Sequence, residues 1–143
     1  MKEINNNIRE DYCSFEVSKL FKEKGFDVTC LHFYTNPRSK MYGVDENFRF
    51  FSIKNTPRKL YTCGQHATKN SKNVFFAPTH ALAIEWLRIN FGIWITITSI
   101  SQESWQCHIT KKGDSLGKLY FEDFNSPQEA TDAALKYVLE KLI

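Results

Sequence analysis

Residues 79–109 constrain the fold more than any other part of this 143-residue chain. Apolar residues recur at helical spacing over 82–91, and only a narrow polar strip around Glu85 and Arg88 interrupts them. An apolar face this wide predicts a helix that is covered on more than one side. Trp86 lies on that face, so we expect it to be a central core residue.

A β-hairpin is predicted to follow this helix directly. Gly92 stands where a left-handed residue commonly ends a helix, and apolar and polar residues then alternate over 93–98. Directly opposed residues of an antiparallel pair share a face of the sheet. Placing the apolar residues of both strands on one face favours Ile97 opposite Cys107, with residues 100–104 as the loop.

The remaining elements flank this helix–hairpin unit. A first helix is predicted over residues 14–24, with Ser14 as N-cap, Gly25 in the left-handed position and Phe26 folding back on Phe21. Strands are predicted over 28–34, 48–54 and 119–124.

The last helix has the most complete start signal in the chain. Ser126 is followed by Pro127 and then by Glu129, which combines an N-cap, a first-turn proline and a capping box. Small residues at 130, 134 and 138 predict close packing against a sheet or helix. Four polar residues are expected to form its solvated face: Glu129, Asp132, Lys136 and Glu140.

Together these elements predict an α+β fold in which about three helices pack on an antiparallel sheet around a central helix–β-hairpin unit. Residues 1–12 are polar and predict an N-terminal arm, and residues 13–143 predict a single domain. An aromatic content of 15% suffices for a core without metal or disulfides. No membrane span, no secretory signal and no cysteine framework occur, which indicates a cytoplasmic protein.

Positive charge is concentrated in the middle of the chain. Residues 36–73 hold eight basic and two acidic residues, an excess of six positive charges, interleaved with aromatic rings. Cations beside stacking platforms are what single-stranded nucleic acid requires, although an exposed edge strand with solvated basic residues has the same composition. The candidate nucleic-acid-binding residues are Arg38, Arg49, Lys54, Arg58, Lys59 and Tyr61.

Cysteine and histidine occur near each other at three places, of which Cys63 and His66 have acceptable spacing for half of a zinc site. Buried cysteines and surface histidines explain the same pattern, so we expect no metal and no cofactor to be required. Cys63 is also the best candidate for a thiolate nucleophile. No oxyanion hole, orienting carboxylate, P-loop or dinucleotide turn accompanies it, so no catalytic residue is assigned and a non-enzyme is expected.

Three stretches carry a resemblance to a known group of proteins. They are Leu-Phe-Lys-Glu-Lys-Gly-Phe-Asp at 20–27, Ala-Pro-Thr at 77–79 with Trp-Leu-Arg at 86–88, and Ala-Leu-Lys-Tyr at 134–137. The chain resembles a family of small uncharacterised proteins of Bacteroides-type gut bacteria and their phages or mobile elements. No activity is established for that family, so the resemblance assigns no catalytic residue. The expected role is a non-enzymatic small binding or interaction module of phage or mobile-element origin, with an unknown protein partner. Nucleic acid is the alternative partner, and no membrane partner is expected.

Overall fold

A computed structural model describes residues 11–28, 30–35, 49–52, 74–114 and 118–143. The helices of these residues are α1 (Phe15–Glu23), α2 (His80–Phe91) and α3 (Pro127–Tyr137), the last continued by a π-helical turn (Val138–Leu142). The strands are β1 (His32–Thr35), β2 (Arg49–Ser52), β3 (Val74–Phe76), β4 (Ile93–Ser99), β5 (Trp105–Lys111) and β6 (Lys118–Phe124).

The six strands form two antiparallel sheets of three strands each, in the orders β2-β1-β3 and β4-β5-β6. The predicted α+β class is therefore confirmed, with the strands divided between two sheets. Strand β1 is shorter than predicted, because it begins at His32 rather than at residue 28. The predicted N-terminal arm falls almost entirely outside the described residues.

Local capping chemistry fixes the helix ends. The hydroxyls of Ser14, Thr79 and Ser126 each accept a backbone N–H from the first turn of α1, α2 and α3, respectively. After α1, the Phe26 N–H donates to the Phe21 carbonyl at 3.0 Å, and the two rings are in edge contact. The predicted caps at Ser14 and Ser126 and the predicted Phe26–Phe21 contact are confirmed, whereas the cap at Thr79 was not predicted.

The hairpin has the register that the alternation of its side chains predicts. Ile97 lies opposite Cys107, and the Ile100 N–H donates to the Ser104 carbonyl at 2.8 Å to close the loop. Cys107 is fully buried together with Ile93. The predicted register and the predicted inward face of the sheet are therefore both confirmed.

Helix α3 lies at the centre of the packing, since it contacts β4, β5, β6, α1 and α2. Its small residues Ala130, Ala134 and Val138 are fully buried, as predicted. The predicted solvated face is wrong at one position. Asp132 is half-buried, and its Oδ1 accepts the backbone N–H of Ser14 at 3.1 Å.

The wide cover predicted for α2 is present over only part of the helix. Only Ala83 and Leu87 of this helix are buried, and Trp86 is half-buried at the edge of the core. Ile89 remains 65% exposed and Phe91 37% exposed. The helix packs against β4 and α3, and its partly buried residues Leu82, Ile84 and Trp86 also contact the core. Its exposed large apolar residues, Ile89 and Phe91, lie at its C-terminal end.

Gly92 joins α2 to β4 in a left-handed conformation with φ of 63°. A Cβ at this position would lie 3.0 Å from the Cβ of Lys112. We expect Gly92→Ala to lower the free energy of unfolding by about 1–2 kcal/mol for the left-handed conformation, with a further cost from this contact. Urea denaturation followed by circular dichroism measures the change.

Gly25→Ala is the matched control, because Gly25 has φ of 86° but a Cβ there would meet nothing within 4 Å. It isolates the conformational cost from the steric one. Equal losses of unfolding free energy in the two variants would show that the contact with Lys112 adds nothing to the cost of Gly92→Ala.

Candidate functional site

Most residues of the predicted nucleic-acid site lie outside the described residues. This holds for Arg38, Lys54, Arg58, Lys59 and Tyr61, whereas Arg49 begins β2. Cys63 and His66, the predicted zinc half-site, also lie outside. Both assignments therefore stay predictions.

An exposed apolar surface forms where α2 passes into β4. We call it the α2–β4 surface and define it by Arg88, Ile89, Phe91, Trp94 and Lys112. These residues, with Gly92, line an open groove of about 620 Å³. Trp94 is 43% exposed, beside the 65% of Ile89 and 37% of Phe91. Three large apolar side chains at one surface mark a candidate binding site, whereas single exposed ones are ordinary.

The fold holds this surface in a defined shape. The Lys112 N–H donates to the Gly92 carbonyl at 2.7 Å, which fixes the end of the hairpin, just after β5, to the turn that follows α2. The Phe91 ring contacts the Trp86 ring at a centroid distance of 5.3 Å, and Trp86 in turn packs on Phe21 of the core. Rings anchored in this way lose little entropy when a ligand binds.

Two cations border the surface, and they differ in their surroundings. Arg88 donates from Nε to Oε2 of Glu85 at 2.9 Å, and these hydrogen bonds lower the pKa of Glu85 and raise that of Arg88. Lys112 is exposed and has no ion-pair partner among the described residues. Lys112 is therefore the charge that a ligand can neutralise.

A row of aromatic side chains lies on one face of the β2-β1-β3 sheet, and the rings of Tyr12 and Phe15 pack against part of it. Tyr34 lies directly opposite Phe50 on one side and Phe75 on the other. His32 stacks on Phe50 with centroids 5.2 Å apart and planes 13° apart. Phe50 is exposed, and the other three side chains are less exposed. This row of rings was not recognisable from sequence, because it depends on which strands pair.

Cys13, which is buried, and His80 and Asp132, which are partly buried, form a cluster where three segments meet. The Cys13 N–H donates to the Pro78 carbonyl at 2.9 Å, and the His80 N–H donates to the Asp11 carbonyl at 2.8 Å. These bonds hold the segment before α1 against the first residue of α2. The thiol sulfur, a ring nitrogen of His80 and a carboxylate oxygen of Asp132 all lie within 4.8 Å of one another.

The pKa values of Cys13 and Asp132 are shifted in opposite directions. Burial, followed by the charge of Asp132, raises the pKa of the Cys13 thiol far above its usual value. Burial alone would raise the pKa of Asp132, but its contacts with His80 and Ser14 outweigh that effect and hold the pKa below its usual value. A protonated, fully buried thiol argues against Cys13 as a nucleophile.

One polar atom in the cluster has no hydrogen-bond partner among the described residues. His80 Nε2 is buried and 3.5 Å from Asp132 Oδ1, but the geometry of this contact does not make a hydrogen bond. Sequence inspection missed the cluster, since its members are 67 and 52 positions apart along the chain. The only local signals are that Cys13 and His80 each lie next to a helix N-cap.

Comparison with known proteins finds no matching protein family, no related curated protein and no similar solved structure. Within the described part of the chain, no helix is both long and apolar enough to span a membrane.

Proposed function

We propose that this protein is a non-enzymatic interaction module whose α2–β4 surface binds an apolar, acidic segment of a partner protein. The observation that carries the proposal is the exposure of Ile89, Phe91 and Trp94 around one groove beside Lys112. Its origin in a phage or mobile element belongs to the same proposal and rests on the sequence resemblance. We place it in the cytoplasm, because Cys13, Cys30 and Cys107 are free thiols, which suit a reducing compartment.

The chemistry of the surface specifies the kind of segment. Two aromatic rings and the aliphatic side chain of Ile89 offer apolar contact, and Lys112 offers one cation to a carboxylate. Since Arg88 is already paired with Glu85, the surface lacks the several cations that a nucleic acid backbone needs. An acidic peptide with apolar side chains complements it better.

The position of β4 favours an extended conformation for the bound segment. Among the described strands β4 pairs only with β5, so it is an edge of its sheet. An extended peptide can add to such an edge through main-chain hydrogen bonds while its side chains occupy adjacent pockets. Trp94 lies on β4 itself, which puts the groove within reach of a strand added there.

Selection from a library of displayed random peptides, each about 12 residues long, tests the proposal. We expect the bound peptides to combine apolar with acidic residues and to lose about tenfold or more in affinity on Trp94→Ala, as binding-surface aromatic residues do when truncated. Ile89→Ser should weaken the same peptides. Lys112→Glu should reverse the charge preference from acidic to basic peptides.

Ile100→Ser and Lys141→Glu are the matched controls. Ile100 is 51% exposed in the hairpin loop, and Lys141 is exposed in the π-helical turn, so both changes alter similar residues outside the groove. Peptides whose affinity falls equally in the controls, or not at all on Trp94→Ala, would exclude the α2–β4 surface as the binding site.

Single-stranded nucleic acid is the second candidate partner, and the aromatic row of the β2-β1-β3 sheet favours it. The basic segment 36–73 connects the strands of this sheet, since 36–48 joins β1 to β2 and 53–73 joins β2 to β3. The exposed ring of Phe50 lies on β2, between these two basic connections in the sequence, and cations with an exposed ring are the composition of a stacking platform.

Fluorescence anisotropy with single-stranded DNA and RNA oligonucleotides tests this second candidate. Binding should weaken steeply with salt and fall on Phe50→Ala and on Arg58→Ala with Lys59→Ala, whereas Trp94→Ala should leave it unchanged. If oligonucleotide binding is unchanged by Phe50→Ala and by Arg58→Ala with Lys59→Ala, this sheet and its basic connections are excluded as a nucleic-acid-binding site.

A further inference from the structure

We propose that Cys13, His80 and Asp132 form a binding site for a divalent transition metal, with zinc as the best fit. The site shares no residue with the α2–β4 surface or with the sequence-predicted pair Cys63 and His66, which lies outside the described residues. One sulfur, one imidazole nitrogen and one carboxylate oxygen together make a donor set that zinc favours.

The distances within the cluster suit a shared metal. Two ligand atoms about 2.0–2.1 Å from a tetrahedral zinc lie about 3.3–3.4 Å apart. His80 Nε2 and Asp132 Oδ1 are 3.5 Å apart, and the whole donor set falls within 4.8 Å. Small side-chain adjustments therefore bring the three donors to coordinating distance.

The unpartnered nitrogen of His80 is an independent observation that points to a ligand. A buried polar atom without a hydrogen bond is costly, and His80 Nε2 makes none with the described residues. A metal ion would satisfy it through the nitrogen lone pair. The Asp132 carboxylate beside it accepts the Ser14 N–H, a bond that orients the donor oxygen.

The surrounding backbone holds the three donors in place before a metal arrives. The segment containing Cys13 pairs with the segment that precedes α2, through the Tyr12–Thr79 bridge and its flanking hydrogen bonds. Gln128 of α3 donates to Asp11 Oδ2 at 3.0 Å and ties the third segment to the first. On coordination the Cys13 thiol loses its proton to solvent and the sulfur binds as a thiolate, so one metal ion enters as one proton leaves.

Cobalt(II) titration of the chelator-treated full-length protein tests the site. We expect one ion per chain, with the near-ultraviolet charge-transfer absorption of a thiolate–cobalt bond. Cys13→Ser should abolish this absorption, whereas Cys30→Ser, which changes another buried thiol, should leave it intact. His80→Gln and Asp132→Asn should each weaken binding by more than about 100-fold, beyond the loss typical of a residue that only supports a ligand.

Asp132→Asn separates loss of metal binding from loss of folding, because an asparagine oxygen can still accept the Ser14 N–H. His108→Gln is the control for histidine, and Cys63→Ser with His66→Gln tests the other pair. The proposal is overturned if the wild-type protein binds no cobalt, if Cys13→Ser retains the absorption, or if Asp132→Asn binds as tightly as wild type. Loss of the absorption in Cys63→Ser but not in Cys13→Ser would move the site to the other pair.

Discussion

Replacing Phe21 by alanine is expected to lower the free energy of unfolding by about 3–5 kcal/mol, the usual cost of deleting a buried phenylalanine ring. Phe21 is fully buried on α1. Its ring contacts those of Phe26 and Trp86, with centroids 5.3 and 5.6 Å away. The substitution therefore removes apolar burial, two aromatic contacts and the support of the neighbouring rings. Because a domain of this size is stabilised by only about 5–15 kcal/mol in total, the variant should be close to unfolding.

Phe50→Ala is the matched control, since it deletes the same ring from an exposed position of β2. Urea denaturation of both variants, followed by circular dichroism, gives the comparison. The Phe50 variant should lose far less stability than the Phe21 variant. Similar midpoints for the two would mean that the aromatic contacts of α1 do not form the principal core.

Trp86 illustrates how the structure changes an expectation based on sequence. Its place among apolar residues predicted a central core position, yet it is half-buried and lies between Phe21 and the surface residue Phe91. Helical periodicity shows which residues share a face, but it does not show how much of that face another element covers. Trp86→Ala should therefore cost less than Phe21→Ala, and it should also disturb the α2–β4 surface.

Features that depend on a few neighbouring residues could be predicted well. The N-caps at Ser14 and Ser126 and the left-handed Gly92 follow from local hydrogen bonding and backbone geometry. The hairpin register also follows from local rules. The alternation of side chains requires odd-numbered residues to lie opposite odd-numbered residues, and this limits the length of the loop. The pairing of Ile97 with Cys107 confirms that reasoning.

Features that depend on distant segments could not be predicted. The residues around Asp132 in the sequence predict that it lies on the solvent-exposed face of α3. It is half-buried because Ser14 and His80, which are distant in the sequence, pack against it. The same holds for Cys13, whose sequence neighbours give no hint of a histidine nearby. The cluster exists because the fold brings the starts of α1 and α2 against the side of α3.

The two proposed sites lie at opposite ends of α2. His80 is its first residue and Phe91 its last, so at about 1.5 Å per residue they are roughly 16 Å apart along the axis. A variant at one end therefore need not perturb the other directly. Cobalt binding by Trp94→Ala, and peptide binding by Asp132→Asn, show whether the two sites act independently.

Ala134→Leu is expected to lower the free energy of unfolding by about 1–3 kcal/mol, the usual cost of overpacking a filled core. Ala134 is fully buried on α3, the helix that contacts both strands of the β4–β5 hairpin. Its methyl group lets the helix approach the sheet closely, and a leucine there would force the two apart. The exposed Ala81 of α2 provides the control, because Ala81→Leu adds the same atoms outside the core. Urea denaturation of both variants measures the difference. An unchanged midpoint for Ala134→Leu would show that the interface between α3 and the sheet has room for a larger side chain. The small residues of α3 would then not determine its distance from the sheet.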